Sequence, residues 1–165
     1  MRCFGLISGF CALLLALCSC ENTTFQSSVP AYPVRVTIDT KMGELVHFQP
    51  TSINSYVVVN NGGYFLNDKY VLPVHVTDAW GYGGVVVYVS MNGYAAFDLA
   101  CPYCAGRGKK SPCLMDGIYA VCPTCGEKYE LGSGYALPQT GICKETLRAL
   151  KIIPSDGKLT VTQKQ

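Results

Sequence analysis

Residues 84–104 read GVVVYVSMNGYAAFDLACPYC, and this stretch decides the class of fold. Residues 85–89 form a continuous β-branched and aromatic run, which predicts a strand that is covered on both faces. Asn92-Gly93 then separates this strand from a second apolar run over residues 94–99. Because Asn-Gly favours the positive φ angles of a two-residue turn, the stretch predicts a β-hairpin that leads directly into two cysteines.

Strand and turn signals continue on both sides of this hairpin. Residues 34–38 alternate with period two, as a half-buried strand does. Residues 69–76 predict another strand, which Pro73 confines to an edge or a bulge. Asp116-Gly117 and Asp156-Gly157 each separate two apolar runs and predict two more hairpins.

Helical signals are weak by comparison, and residues 144–150 are the best candidate. The sequence therefore predicts an all-β fold with one domain over residues 32–165, in which the cysteine loops project from hairpin ends.

The N-terminal residues carry the signals of export. An apolar run over residues 4–17 is too short to span a bilayer comfortably but suits the core of a signal peptide. Its Leu-Cys-Ser-Cys ending, with the small Ser19 before Cys20, resembles a bacterial lipobox. The resemblance implies a lipoprotein signal peptide over residues 1–19, lipidation of Cys20, and a polar tether over residues 20–31. The alternative is an ordinary secretory peptide that leaves Cys20 as a spare thiol.

Composition argues against several classes of function. The net charge of +2 gives no footprint for nucleic acid. The basic cluster at residues 107–110 is short, and we interpret it as a solvated loop face. The sequence contains no nucleophile–histidine–acid arrangement and no glycine-rich phosphate loop before a helix, so stand-alone enzymatic activity is not expected.

Two short cysteine motifs have the highest specificity in the chain. Cys101-Pro-Tyr-Cys104 and Cys122-Pro-Thr-Cys125-Gly together read C-x2-C-x17-C-x2-C, a spacing that lets two turns bring four thiolates around one metal centre. In an exported domain, its six cysteines are alternatively expected to form three disulfides. Every metal scheme leaves Cys113 and Cys143, which either pair with each other or provide Cys113 as a ligand in place of Cys104.

The stretch from residue 83 to residue 161 resembles the Rieske iron–sulfur domain. The similarity consists of the β-branched strand, the two loops beginning at Cys101 and Cys122, the glycine-containing segment 132–137, and a closing strand over residues 147–153. The resemblance implies antiparallel sheets or a sandwich with a small rubredoxin-like metal-loop subdomain at about residues 100–130.

The ligands depart from the Rieske pattern. That family uses Cys-x-His in the first loop and Cys-x-x-His in the second, whereas Tyr103 and Cys125 occupy the histidine places here. The two histidines of the domain, His47 and His75, lie upstream in strand-like segments. With Cys104 as the fourth ligand, the site becomes an all-cysteine set: Cys101, Cys104, Cys122 and Cys125.

Three occupants of this site compete. The resemblance implies a [2Fe-2S] cluster, and thiolates in place of imidazoles shift its potential from the Rieske range of roughly −150 to +300 mV toward about −400 mV. Such a cluster predicts a simple one-electron relay rather than quinol oxidation, since the imidazole N–H is missing. The alternatives are a structural zinc ion in the same thiolates, or a metal-free interaction module stapled by disulfides.

The hypothesis from sequence is a membrane-anchored, Rieske-like electron-transfer or accessory protein of the bacterial cell envelope. Its expected partners are the membrane, through the lipid on Cys20, and a redox protein. The Cys-Pro-Tyr-Cys string also occurs in thiol–disulfide oxidoreductases, but neither a helix start nor an alternating α/β pattern accompanies it here.

Overall fold

The structure is a computed structural model, and it describes residues 27–164. The predicted signal peptide, the lipidation of Cys20 and the tether up to residue 26 lie outside the described residues.

Short antiparallel strands make up most of the described chain, and they confirm the predicted all-β class. The only helical elements among residues 27–164 are a 3-10 helix (Gly43–His47) and the single turn α1 (Pro102–Ala105). The strands are β1 (Val34–Asp39), β2 (Tyr56–Asn60), β3 (Gly63–Leu66), β4 (Lys69–Leu72), β5 (Ala79–Trp80), β6 (Val85–Ser90), β7 (Gly93–Asp98), β8 (Leu114–Asp116), β9 (Tyr119–Val121), β10 (Lys128–Glu130), β11 (Leu137–Pro138), β12 (Leu150–Ser155) and β13 (Lys158–Gln163).

These strands form three antiparallel sheets. A four-stranded sheet has the order β12-β13-β1-β5, and a five-stranded sheet has the order β4-β3-β2-β6-β7. The third, which we call the small sheet, has the order β11-β10-β9-β8. The small sheet contributes one of the two cysteine loops, as the Rieske resemblance implies.

The three predicted hairpins are confirmed by their registers. Ser90 pairs with Gly93, Asp116 with Tyr119 and Ser155 with Lys158, so each loop has two residues. The last loop is Asp156-Gly157 as predicted, whereas the first two are Met91-Asn92 and Gly117-Ile118, each one residue away from the predicted turn. In the last loop both Asp156 and Gly157 have positive φ, which is the conformation that Asp-Gly favours.

Strand β6 separates two hydrophobic cores, as its unbroken apolar run predicts. Val85, Val87 and Val89 lie in a first core with residues of β1, β2 and β13. The intervening Val86 and Tyr88 lie in a second core, which contains residues of the small sheet and buried cysteines. Alternation of side chains along one strand therefore places the cysteine region on the opposite face of the five-stranded sheet from the first core.

Residues 144–150 are not helical, contrary to the weak prediction. Leu147 is buried in the second core and Leu150 in the first. A helix places residues three apart on the same face, so it cannot deliver these two leucines to different cores.

The described part of the predicted tether packs on this segment. The backbone N–H of Ser28 donates to a carboxylate oxygen of Glu145 at 2.9 Å, and Val29 is buried. Residues 27–29 are thus fixed near the start of β12. Between residues 27 and 164, no helix is long and apolar enough to cross a membrane.

Candidate metal centre

The four predicted ligands come from two loops that meet beside the second core. The first loop follows β7 and forms the turn α1, in which the N–H of Ala105 donates to the carbonyl of Cys101 at 2.9 Å. The second loop joins β9 to β10, and the N–H of Gly126 donates to the carbonyl of Cys122 at 2.9 Å. Gly126 has φ of 77°, a conformation that glycine adopts without strain.

The chain entering the first loop is fixed by a buried carboxylate. Asp98 accepts hydrogen bonds from the backbone N–H groups of Tyr82, Gly83 and Ala100 at 2.7, 2.8 and 2.9 Å. Burial raises the pKa of Asp98, and these N–H groups oppose that effect. The exit of β7 is therefore held immediately before Cys101.

The four sulfur atoms converge on one point. All four Sγ atoms lie within 4.8 Å of one another. The Cys101 and Cys125 sulfurs are 3.6 Å apart, and so are those of Cys104 and Cys122. Cys101 and Cys122 are fully buried and Cys104 is nearly so, whereas Cys125 is partly exposed.

This geometry fits a single tetrahedral metal ion. Metal–sulfur bonds of about 2.3 Å in a tetrahedron place the sulfurs about 3.8 Å apart, close to the two short separations here. A [2Fe-2S] cluster holds its cysteines as two pairs on two irons, so sulfurs of opposite pairs lie roughly 5 Å or more apart. Because all four sulfurs lie within 4.8 Å of one another, they would fit a [2Fe-2S] cluster only if the Cys101–Cys125 pair moved away from the Cys104–Cys122 pair.

Two hydroxyl groups contact the ligand sulfurs. The Tyr129 hydroxyl lies 3.3 Å from Cys101 Sγ, and the Ser111 hydroxyl lies 3.2 Å from Cys122 Sγ and 2.7 Å from the Thr124 hydroxyl. Burial and the hydrogen bond to Cys101 both raise the pKa of Tyr129, so this hydroxyl keeps its proton and can donate it to a thiolate. Sequence reasoning missed both residues, because they lie 28 and 11 positions from the sulfurs they contact.

Electrostatics at the site call for a compensating cation. Hydrogen bonds from Cys113 and Tyr129 lower the pKa of Cys101 against the opposing effect of burial. Burial raises the pKa of Cys104, and the hydrogen bond with Cys122 and the charge on Cys101 raise it further. One thiolate therefore forms readily in the metal-free site and disfavours the next, and a bound cation would remove this repulsion.

The remaining two cysteines stay outside the ligand group. Cys113 and Cys143 are buried, and all six cysteines among residues 27–164 are free thiols. Cys104, rather than Cys113, lies in the four-sulfur group. Both histidines are exposed and neither belongs to this group.

A buried glutamate shapes the loop beside the site. Glu127 is fully buried and accepts backbone N–H bonds from Gln139, Thr140 and Cys143 at 3.1, 2.8 and 2.8 Å. Burial raises the pKa of Glu127, but these N–H groups outweigh it and hold the pKa at about 2. The ionised carboxylate thus clamps residues 139–143 against the second ligand loop.

No protein-family model and no curated protein matches this chain. Two solved structures are similar in chain path. One belongs to the complex of reduced oxygenase and oxidized ferredoxin in carbazole 1,9a-dioxygenase, with 15% identity over 81% of this chain and 95% of that chain and a TM-score of 0.43. The other is a Sphingomonas yanoikuyae B1 ferredoxin, with 13% identity over 70% of this chain and 94% of that chain and a TM-score of 0.40.

Fold and site together define a class: a three-sheet, all-β domain that presents four cysteines able to hold a metal.

Proposed function

We propose that this chain is a one-electron carrier whose redox centre is iron held by Cys101, Cys104, Cys122 and Cys125. The observation that carries the proposal is the convergence of four sulfurs within 4.8 Å, three of them buried and one reaching the surface. Thiolates are the ligands that stabilise iron in electron-transfer sites. When bound, iron would supply a one-electron couple, and the protein supplies a fixed, largely dry ligand set.

The sulfur spacing supports a single iron more directly than the [2Fe-2S] cluster expected from the Rieske resemblance. The two short sulfur pairs also join opposite loops as Cys101 with Cys125 and Cys104 with Cys122. In the Rieske pattern the positions of Cys101 and Cys122 share one iron. The [2Fe-2S] form remains an alternative that analysis of sulfide separates from the single-iron form.

A structural zinc ion is the second candidate. Its support is the same convergence on one point, because closed four-cysteine zinc sites are tetrahedral. In that case the centre would hold the small sheet together and carry no electrons.

Metal and sulfide analysis of protein purified anaerobically decides among these forms. One iron per chain, no acid-labile sulfide and a visible spectrum that bleaches on reduction would support the proposal. Two irons with two sulfides would identify the cluster, and one zinc in colourless protein would identify the structural site. Folded protein without metal, or a Cys101–Cys122 disulfide in non-reducing peptide mapping, would reject all three.

Matched cysteine variants assign the ligands. Replacing Cys101, Cys104, Cys122 or Cys125 with serine should remove the metal or change its spectrum, since each removes one thiolate. Cys143→Ser is the control, because Cys143 is a buried cysteine outside the sulfur group. Metal loss in the control with full retention in Cys104→Ser would overturn the assignment.

We propose further that a lipid on Cys20 anchors the protein on the exported side of a bacterial membrane. Support comes from the lipobox-like ending of the apolar N-terminal run. Intact mass of the membrane-extracted protein should show acylation beginning at Cys20, and Cys20→Ser should release the chain from the membrane fraction. An unmodified N-terminus, or unchanged fractionation of the variant, would refute the anchor.

A further inference from the structure

A cleft of about 480 Å³ lies over the exposed edge of the metal centre. Ligands Cys104 and Cys125 line it, and Tyr103, Arg107, Lys109 and Ile142 stand around them. We propose that this cleft is the docking surface for a protein partner with an acidic surface. The inference rests on the proposed electron-transfer function, and it adds the chemistry of the partner.

The cations at the cleft form no salt bridge with the described residues. Residues 103–112 contain Arg107, Lys109 and Lys110 and no carboxylate. None of these three cations belongs to the salt bridges found between residues 27 and 164, which use other lysines. Two glutamates of neighbouring segments also form no salt bridge with these cations: Glu127 is buried against backbone N–H groups, and Glu145 accepts a hydrogen bond from Ser28.

Two of the three cationic groups lie over aromatic rings. The Arg107 guanidinium lies 3.6 Å from the centre of the Tyr103 ring and donates to the Tyr103 carbonyl at 3.3 Å. Lys110 Nζ lies 5.3 Å from the centre of the Tyr82 ring. Fixed cations lose less side-chain entropy on binding than freely rotating ones, which favours a specific contact over a merely solvated loop.

The shape of the surface favours a protein over a lipid bilayer. The cleft is concave, and its wall includes the side chain of Ile142, which is 42% exposed. Protein interfaces typically combine such an apolar centre with a charged rim. A carboxylate-bearing loop that enters the cleft would come into contact with Cys125, the most exposed ligand.

An NMR titration of the zinc-substituted protein with hexaglutamate tests the surface without any redox activity. Amide shifts should concentrate at residues 103–109, 124–125 and 142. The apparent affinity should fall about tenfold as salt shortens the Debye length from about 30 Å to about 8 Å. Arg107→Glu/Lys109→Glu should abolish binding. Arg35→Glu/Lys151→Glu is the matched control, because it makes the same charge change at an exposed arginine and lysine on another sheet.

Three results would overturn the proposal. One is equal binding of hexaglutamate by both double variants, and another is shifts confined to other surfaces. The third is binding to phosphatidylglycerol vesicles without binding to hexaglutamate, which would make the cluster a membrane contact. A redox-inactive metal centre would reject the proposed electron-transfer function. The hexaglutamate titration would still test the docking surface, because it uses zinc-substituted protein.

Electron transfer with small oxidants gives a second, independent readout on the iron-loaded protein. Each step moves one electron from the reduced protein to the oxidant. Anionic ferricyanide should react faster than expected from its driving force, and cationic hexaamminecobalt(III) more slowly. Arg107→Glu/Lys109→Glu should reverse both deviations, so that ferricyanide reacts more slowly and hexaamminecobalt(III) faster than expected from driving force. Unchanged deviations would contradict the proposed surface.

Discussion

Tyr129 places a hydroxyl 3.3 Å from Cys101 Sγ in a fully buried position. A hydrogen bond to a ligand sulfur stabilises the reduced, more negative state of an iron centre, so Tyr129→Phe should lower the reduction potential. The loss of about 1 kcal/mol corresponds to a fall of about 40 mV for one electron. Redox titration of the iron-loaded protein measures the shift. Tyr135→Phe is the control, because that side chain is 66% exposed, and an equal shift in both variants would refute the role.

Glu127 holds residues 139–143 through three backbone N–H groups. Glu127→Gln replaces an acceptor oxygen with a donor amide and should cost about 2–4 kcal/mol in the free energy of unfolding. Urea denaturation measures the loss. Glu44→Gln is the control, since Glu44 forms only an exposed ion pair with Lys69 and should change stability by less than about 1 kcal/mol. Similar losses in both variants would contradict the clamp.

The lowered pKa of Glu127 also makes the free energy of unfolding depend on pH. Its pKa is about 2 in the folded protein against an ordinary value of 4.5, so the stabilisation is complete above pH 4.5 and is lost as the pH falls toward 2. Unfolding free energies of the wild type should therefore decline over this window more steeply than those of Glu127→Gln. Parallel curves would show that Glu127 does not contribute.

At the scale of elements, Gly83 sets how closely the approach to the first ligand loop packs. A Cβ at this position would lie 2.2 Å from the Ala100 nitrogen and 2.5 Å from its Cα. Because backbone atoms cannot rotate away, Gly83→Ala should push the exit of β7 outward, cost about 1–3 kcal/mol and weaken metal retention. Thermal unfolding and competition with a chelator measure the two effects. Gly106→Ala is the control, since its added Cβ meets only ordinary contacts near 3.4 Å.

Local signals account for the elements that sequence predicted well. Hairpins β6–β7, β8–β9 and β12–β13 follow from Asn-Gly or Asp-Gly steps between apolar runs. The predicted strand over residues 69–76 stops at Leu72, because Pro73 cannot donate to a ladder. The hairpin β3–β4 was missed, although Asn67 and Asp68 both adopt the positive φ that such residues tolerate.

Long-range contacts account for what sequence did not reveal. Cysteine spacing predicted the four-sulfur group, since each pair closes within one turn. The basic cluster at residues 107–110 was interpreted as a solvated loop face, and these residues are exposed in the structure. Long-range packing concealed Ser111 and Tyr129, whose partners come from other elements.

At the scale of the whole molecule, the four-cysteine group lies beside only one of the two hydrophobic cores. The second core includes Cys101, Cys104 and Cys122, whereas the first core consists mainly of residues from the two larger sheets and contains no cysteine. Metal binding should therefore stabilise the small sheet selectively, because ligation free energy is delivered to the elements that carry the ligands. Hydrogen exchange after anaerobic chelation should show amides of β9 and β10 exchanging about tenfold faster or more, while those of β1 and β6 keep their protection. Restoring the metal should restore the slow exchange, which serves as the control for irreversible damage. Uniform acceleration in all three sheets would mean instead that the two cores unfold as one unit and that the centre supports the whole domain.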